Sequence, residues 1–272
     1  MLVKQIAVNN SLRNYMYLIV CPQTLEAAAV DPLDDAVVLQ CAKENGWTIT
    51  AVINTHEHHD HIGGNDAVLS ATGATLYAHH KAVDKIDNVD VGLKAGDRIK
   101  IGSSVELVSL DTPGHTFCHT CLYFEGRELQ GNLEACAPAL FCGDTLFNAG
   151  IGNCHNGGDP QVMYQTFSEH LFLLPDETEI YPGHDYIENN LEFTLNREPG
   201  NSAAKVLLEA MKQWPNEPHF VSTIKLERLM NTFFRLKSEQ VIALLKKAFP
   251  EMSDQPSEKE VFIKLRALRD RW

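Results

Sequence analysis

Residues Ile53–Asn65 read INTHEHHDHIGGN, and Ile53 and Asn65 bracket a run unlike any other in the chain. From His56 to His61 it packs four of the chain's twelve histidines and two acids into six consecutive positions. The preceding TITAVINT is apolar and β-branched, so it reads as a buried strand. In extended chain, positions two apart point the same way, so His56 and His58 leave the strand end side by side and can grip one ion together. The Gly63-Gly64 pair then lets the chain turn into a helix, which places Asp60 and His61 to hold a second ion beside the first. Neutral imidazoles and carboxylates are the ligands that borderline metals such as zinc accept.

Outward from that stretch, β-rich apolar runs alternate with helical patterns, which predicts an α/β fold. NYMYLIV, EAAAVDP, TITAVINT, ATLYAHH, SVELVSLDTPGH, CLYFEG, ALFCGD and TEIYPGHD read as strands ending in turns. LDDAVVLQCAKENG reads as a helix closed by Gly46, and DPQVMYQTFSEHLFLL as one opened by Asp159 and Pro160. After Tyr186 the remaining segments have helical periodicity with no strand between them. The expected division is a catalytic domain over 1–185 and a helical substrate-binding domain over 186–272.

A chain of 272 residues, 44% of them hydrophobic, can bury a large core. No apolar run is long enough to span a membrane, and the N-terminus lacks the pattern of a signal peptide, so the expected compartment is the cytoplasm. Seven scattered cysteines agree with reducing surroundings. Cys118 and Cys121 form a CxxC, but in TFCHTCLYF, read as a strand, positions three apart face opposite sides, which argues against a zinc or redox pair. The net charge of −13 is uneven: residues 1–196 carry nine basic and twenty-six acidic residues, and residues 197–272 carry fourteen basic and ten acidic. An acidic body argues against nucleic acid as a partner, and a basic tail suits an anionic small molecule.

The motif THEHHDHIGG resembles the signature of the metallo-β-lactamase superfamily, and DTPGHT, LFCGDTLF and IYPGHDYIENNLEFT follow in the superfamily's order. Among its branches the whole chain is most similar to the glyoxalase II family, the hydroxyacylglutathione hydrolases. That resemblance implies a four-layer αββα sandwich with a C-terminal helical domain. It implies that His56, His58 and His115 hold one divalent metal ion and Asp60, His61 and His184 another, with Asp144 bridging them. Zinc is the first expectation for the two metals, and iron and manganese suit the same ligands. A carboxylate has two oxygens and can bind two cations at once, so Asp144 is the natural bridge. Two cations sharing one water lower its pKa and supply hydroxide at neutral pH. Asp60 and Asp144 are the expected catalytic acids.

By the same resemblance, Tyr186 matches the family's tyrosine after the last histidine, and NTFFRLKSEQV resembles its NPF-R segment. Arg235 then matches a glutathione-binding arginine, with Lys237 as a basic neighbour. Asn153 and His155 fall where the family usually has a basic residue and a tyrosine. The expected activity is hydrolysis of an S-2-hydroxyacylglutathione thioester. Alternatives that share the fold are an iron-dependent persulfide dioxygenase, a hydrolase of another thioester or ester, and a non-catalytic binding module. The insert from Glu125 to Pro138 is expected to reshape the rim of the site. His79, His80, His119, His170 and His219 are read as ordinary packing or surface histidines.

Overall fold

The computed structural model describes residues 1–128, 135–213 and 219–272. The first sheet is built from β1 (Leu2–Ala7), β2 (Tyr15–Val20), β3 (Glu26–Val30), β4 (Thr48–Ile53), β5 (Thr75–His79) and β6 (Val91–Leu93), hydrogen-bonded in that order. The β1, β2 and β3 strands form an antiparallel meander, and β3 to β6 run parallel. Parallel strands need crossovers. These are supplied by α1 (Asp35–Asn45), the one-turn α2 (His59–Ile62) and α3 (Asn65–Thr72). The Asp34 side chain accepts the Val37 N–H to start α1, and Gly46, at φ +69, ends it.

The second sheet contains β7 (Arg98–Ile101), β8 (Val105–Asp111), β9 (Thr120–Phe124) and β10 (Ala139–Gly143). After a ribbon of β11 (Leu146–Phe147) and β12 (Gly150–Ile151), it gains β13 (Glu179–Pro182) and β14 (Ser222–Thr223), in the spatial order β14-β13-β10-β9-β8-β7. The outer face of this sheet carries α4 (Pro160–Glu169) and, from the tail, α5 (Ile187–Arg197), α7 (Ile224–Met230), α8 (Glu239–Ala248) and α9 (Glu258–Arg269), with α6 (Ser202–Gln213) packed on α5 and α7.

Both faces of each sheet are buried, and the alternation of β2 shows how. Tyr15, Tyr17 and Ile19 point inward to meet Leu122, Phe141 and Tyr181 of the second sheet, whereas Met16, Leu18 and Val20 point outward to Val38 of α1 and Val68 of α3. A third core joins Leu140, Cys142 and Ile180 to Met163 and Phe167 of α4, Val241 and Leu245 of α8, and Phe262 and Leu265 of α9. The layers are therefore helices, sheet, sheet, helices.

Several details depart from the sequence reading. The tail is not free of strands: β14 pairs antiparallel with the edge of β13. At two residues it is too short to show a period. Asp60 and His61 lie within α2 rather than ahead of a helix. Cys118 precedes β9 and packs into a different core from Cys121. The 125–138 segment leaves β9 at Phe124, the end away from Thr120, whose amide binds Thr55 O beside the histidine run. Its described ends, joined by the Arg127–Cys136 bridge, therefore lie at the far end of the sheet from the rim they were expected to shape. The middle of that insert, residues 129–134, lies outside the described residues.

Candidate metal centre

Strand ends from both sheets converge on one point. The β4 strand delivers His56, α2 delivers Asp60 and His61, the approach to β9 delivers His115, and the turns after β10 and β13 deliver Asp144 and His184. The ring nitrogens facing away from this point are all held by hydrogen bonds. The Nδ1–H of His56 donates to Thr55 Oγ1 at 3.0 Å, His58 Nε2 to Asn156 O at 3.1 Å and His115 Nδ1 to Asn153 O at 2.7 Å. His61 Nδ1 reaches Asp31 Oδ2 at 2.9 Å, and His184 Nδ1 donates to Leu12 O at 2.8 Å. A neutral imidazole has one N–H, so once each ring is neutral, as a metal ligand must be, its inward nitrogen presents a lone pair.

Those lone pairs face one another. His58 Nδ1 lies 3.0 Å from both His56 Nε2 and His115 Nε2, and His61 Nε2 lies 3.2 Å from His184 Nε2. Asp144 sits between the two groups, with Oδ2 3.5 Å from His115 Nε2 and 3.2 Å from His184 Nε2, and Oδ1 3.4 Å from His61 Nε2. Its buried Oδ1 has no hydrogen-bond partner among the described residues. Asp60 Oδ2 completes the second group, 3.4 Å from His184 Nε2 and 3.6 Å from His61 Nε2. Lone pairs converging on an orphaned carboxylate oxygen repel unless a cation lies among them, so the donor set fits metal ions. His56, His58 and His115 form one set of ligand atoms within 4.8 Å of one another, and Asp60, His61 and His184 form another.

The electrostatics divide in the same way. Burial, with the neighbouring His61, holds His56 well below its ordinary range, and burial also lowers His115. Burial opposes protonation of His61 too, but Asp144, Asp31 and Asp60 overcome it and raise the imidazole to about 9. Burial opposes ionisation of Asp144, and the His184 and His61 imidazoles hold the carboxyl well below the usual carboxylate range. The close fit depends on glycine: a Cβ at Gly183 would lie 2.4 Å from Asp144 Oδ1 and 2.8 Å from His61 Cε1.

The expected substrate residues separate. Tyr186 lies flat on His184, with ring centroids 4.9 Å apart and planes at 5°. Burial, with Asp144 and Asp60, pushes its phenol up to about 12 against the pull of the Arg13 and Arg269 guanidinium groups, so it remains a donor. Asn153 contributes its carbonyl to His115, and its buried Oδ1 has no hydrogen-bond partner among the described residues. His155 is exposed, 3.7 Å from Asp270. Arg235 and Lys237 are not brought to the centre. Arg235 is paired with Glu198 past the far end of α5, and Lys237 with Glu258 at the start of α9. The helix end that meets the site is the other one: Arg269 Nη2 donates to Asn190 Oδ1 in the first turns of α5. Over α9 that separates the two ends by roughly 16 Å.

Sequence reasoning missed Arg269, Asp31 and His119. A signal for Asp31 existed, since it ends EAAAVDP, and β3 lies parallel beside β4 with Val30 opposite Ile53. Asp31 takes a left-handed backbone (φ +49), and its carboxylate accepts from Thr55 N and Thr55 Oγ1 as well as facing His61. His119 is buried against His56, its ring stacked at 5.1 Å, and its Nε2 accepts the Asp144 N–H.

Residues 15–184 match the metallo-β-lactamase superfamily profile, and residues 185–272 match the profile described as hydroxyacylglutathione hydrolase C-terminus. The chain is 56% identical over 272 residues, the full length of both, to a hydroxyacylglutathione hydrolase of Polaromonas sp. strain JS666. It is 54% identical, again over the full length of both, to one of Nitrosococcus oceani. Among solved structures it is similar to ETHE1 from Myxococcus xanthus, with 26% identity, a TM-score of 0.66, and 99% of this chain and 98% of that one covered. The fold and the site define a metal-dependent hydrolase of the metallo-β-lactamase superfamily. Within that superfamily the chain belongs to the hydroxyacylglutathione hydrolase family, glyoxalase II.

Proposed function

We propose that the chain hydrolyses an S-2-hydroxyacylglutathione, such as S-lactoylglutathione, to a 2-hydroxy acid and glutathione. Five imidazoles with their outer nitrogens engaged and their inner nitrogens converging on Asp144 carry this reading. His56, His58 and His115 would hold one divalent ion and Asp60, His61 and His184 a second, with Asp144 shared. Zinc is the proposed occupant, and mixed histidine and carboxylate ligands suit iron and manganese as well. Bound there, the pair of ions supplies a water acidic enough to attack at neutral pH and polarises the thioester carbonyl.

The remaining work falls to side chains. Asp60, reached by solvent and tethered through Oδ2 by Asn14 Nδ2 at 3.0 Å, is placed to take the proton that the attacking water releases. Tyr186 offers its phenol O–H, and Arg269 its positive charge, to the anionic glutathionyl part. The thiolate leaves without a general acid because a thiol pKa is roughly 8.5, far below that of an alcohol. An odd number of scattered cysteines, seven in all, supports the cytoplasm as the proposed compartment. Among the described residues, no helix is long and apolar enough to cross a membrane.

Metal analysis joined to a thioester panel tests this. The metal-loaded chain should release glutathione from S-lactoylglutathione in preference to thiol from coenzyme A thioesters. Oxygen uptake with glutathione persulfide, or no turnover of S-lactoylglutathione with zinc, iron or manganese, would reject it.

A further inference from the structure

The two halves of the cluster are braced by different parts of the chain. On one side, His61 is held by Asp31, His184 by Leu12 O and Asp60 by Asn14, all from the N-terminal sheet and the β1–β2 turn. On the other side, His58 and His115 are braced by two carbonyls of a single loop, Asn156 O and Asn153 O. A carbonyl orients a ligand ring only as firmly as its own loop is fixed.

That loop is fixed from the C-terminal helix. Arg266 of α9 is 3% exposed, and its Nη1 donates to Ile151 O at 3.1 Å and Gly152 O at 2.9 Å. Its Nη2 donates to Asp270 Oδ1 at 2.9 Å, one helical turn on. The two carbonyls it holds belong to the residues immediately before Asn153. At Gly152 the backbone passes so close to the Asp144 main chain and the His115 ring that a Cβ would lie 1.8 Å from the Asp144 backbone oxygen and 3.2 Å from His115 Nδ1. Burying a guanidinium is costly unless its hydrogen bonds are made, and here Nη1 and Nη2 spend theirs on the loop and on the acid that completes the clamp, while the buried Nε has no partner among the described residues.

We propose that Arg266 is a positioning residue for the metal held by His56, His58 and His115. By fixing residues 151–156 it makes the affinity of that site depend on α9, while the Asp60, His61 and His184 site depends on the N-terminal sheet. The inference rests on the two-metal reading above.

The test is zinc titration of the metal-free full chain against a competing chelator, for wild type, R266K and R266M, with circular dichroism to establish folding. Wild type should fill two sites; fewer would defeat the two-metal reading itself. In R266K and R266M one site should weaken by about 10- to 100-fold while the other holds its wild-type affinity. The effect should persist in a D60A background, where the three-histidine site remains, and vanish in an H58A background. Equal weakening of both sites, or of neither, overturns the proposal. Should neither variant fold, hydrogen exchange on the wild-type chain decides. By reciprocity, chelation should speed exchange in 151–156 and in the last two turns of α9 together, and an unmoved α9 overturns the proposal.

Discussion

Arg235 reaches Glu198 with two nitrogens, Nε to Oε2 at 2.6 Å and Nη2 to Oε1 at 2.8 Å, and so ties the segment after α7 to the end of α5. Glu198 is nearly buried and also accepts from Ser238 and Asn201; against the cost of burial, Arg235 first and then these two donors hold its carboxyl below the ordinary range. The arginine that the sequence resemblance assigned to glutathione is engaged with Glu198 in this structure, which motivates testing it as a brace.

Arg235→Ala should therefore act on stability. Leaving the Glu198 carboxylate short of its main partner costs about 1–3 kcal/mol. The readout is a lower urea midpoint together with a KM for S-lactoylglutathione that stays near wild type. A KM rise without loss of stability would return Arg235 to the substrate.

Arg269→Ala should do the reverse. A contact remote from the carbonyl contributes about equally to ground and transition states, so KM should rise by about 10- to 100-fold with kcat nearly intact. Added salt should shrink the difference from wild type. Steady-state kinetics at two ionic strengths checks both.

Asp144→Ala removes the carboxylate lying between the two histidine groups, so both metals should be lost together and kcat should collapse. Elemental analysis after dialysis is the measurement, and retention of one full equivalent would contradict a shared role.

Gly183→Ala introduces a methyl that meets Asp144 Oδ1 at 2.4 Å and His61 Cε1 at 2.8 Å. Neither neighbour can retreat without leaving the cluster. The variant should fold, show a normal far-ultraviolet spectrum, and hold less metal than wild type under the same loading.

Glu227 of α7 is fully buried, with the Ala149 N–H, Ser222 and Asn231 as donors and no ion pair among the described residues. Burial pushes its carboxyl up to about 7, and these hydrogen bonds only partly counter it. An acid whose folded pKa is raised binds its proton more tightly when folded. Its contribution is full below the unfolded value, about 4.3, and is lost as pH rises through about 7. Between pH 5 and 8 the wild type should lose about 3 kcal/mol that Glu227→Gln keeps. Parallel urea denaturation curves for the two proteins at both pH values measure this.

What the sequence made legible was whatever a side chain announces by type and spacing. His56, His58, Asp60 and His61 lie together because a strand end and one helical turn place them, and both were readable. The groups that brace them were largely not, because Leu12 O, Asn153 O and Asn156 O are backbone carbonyls, which any residue possesses. Arg235 and Arg269 both lie in a basic tail, and charge alone does not say which end of which helix meets the site. The β14 strand and α7 were too short for a period to emerge, and the partners of β14 lie about forty residues away.

The third core has a consequence for shortening or exchanging the tail. Leu140, Cys142 and Ile180 come from one matched segment, and Val241, Leu245, Phe262 and Leu265 from the other, yet they form a single apolar interior. A chain cut at residue 185 would be left with an uncovered sheet face and a bare edge along β13, which is a template for aggregation rather than a smaller enzyme. Grafting a tail from a relative would succeed only if its apolar contours met those of the second sheet, so the two segments have to vary as one.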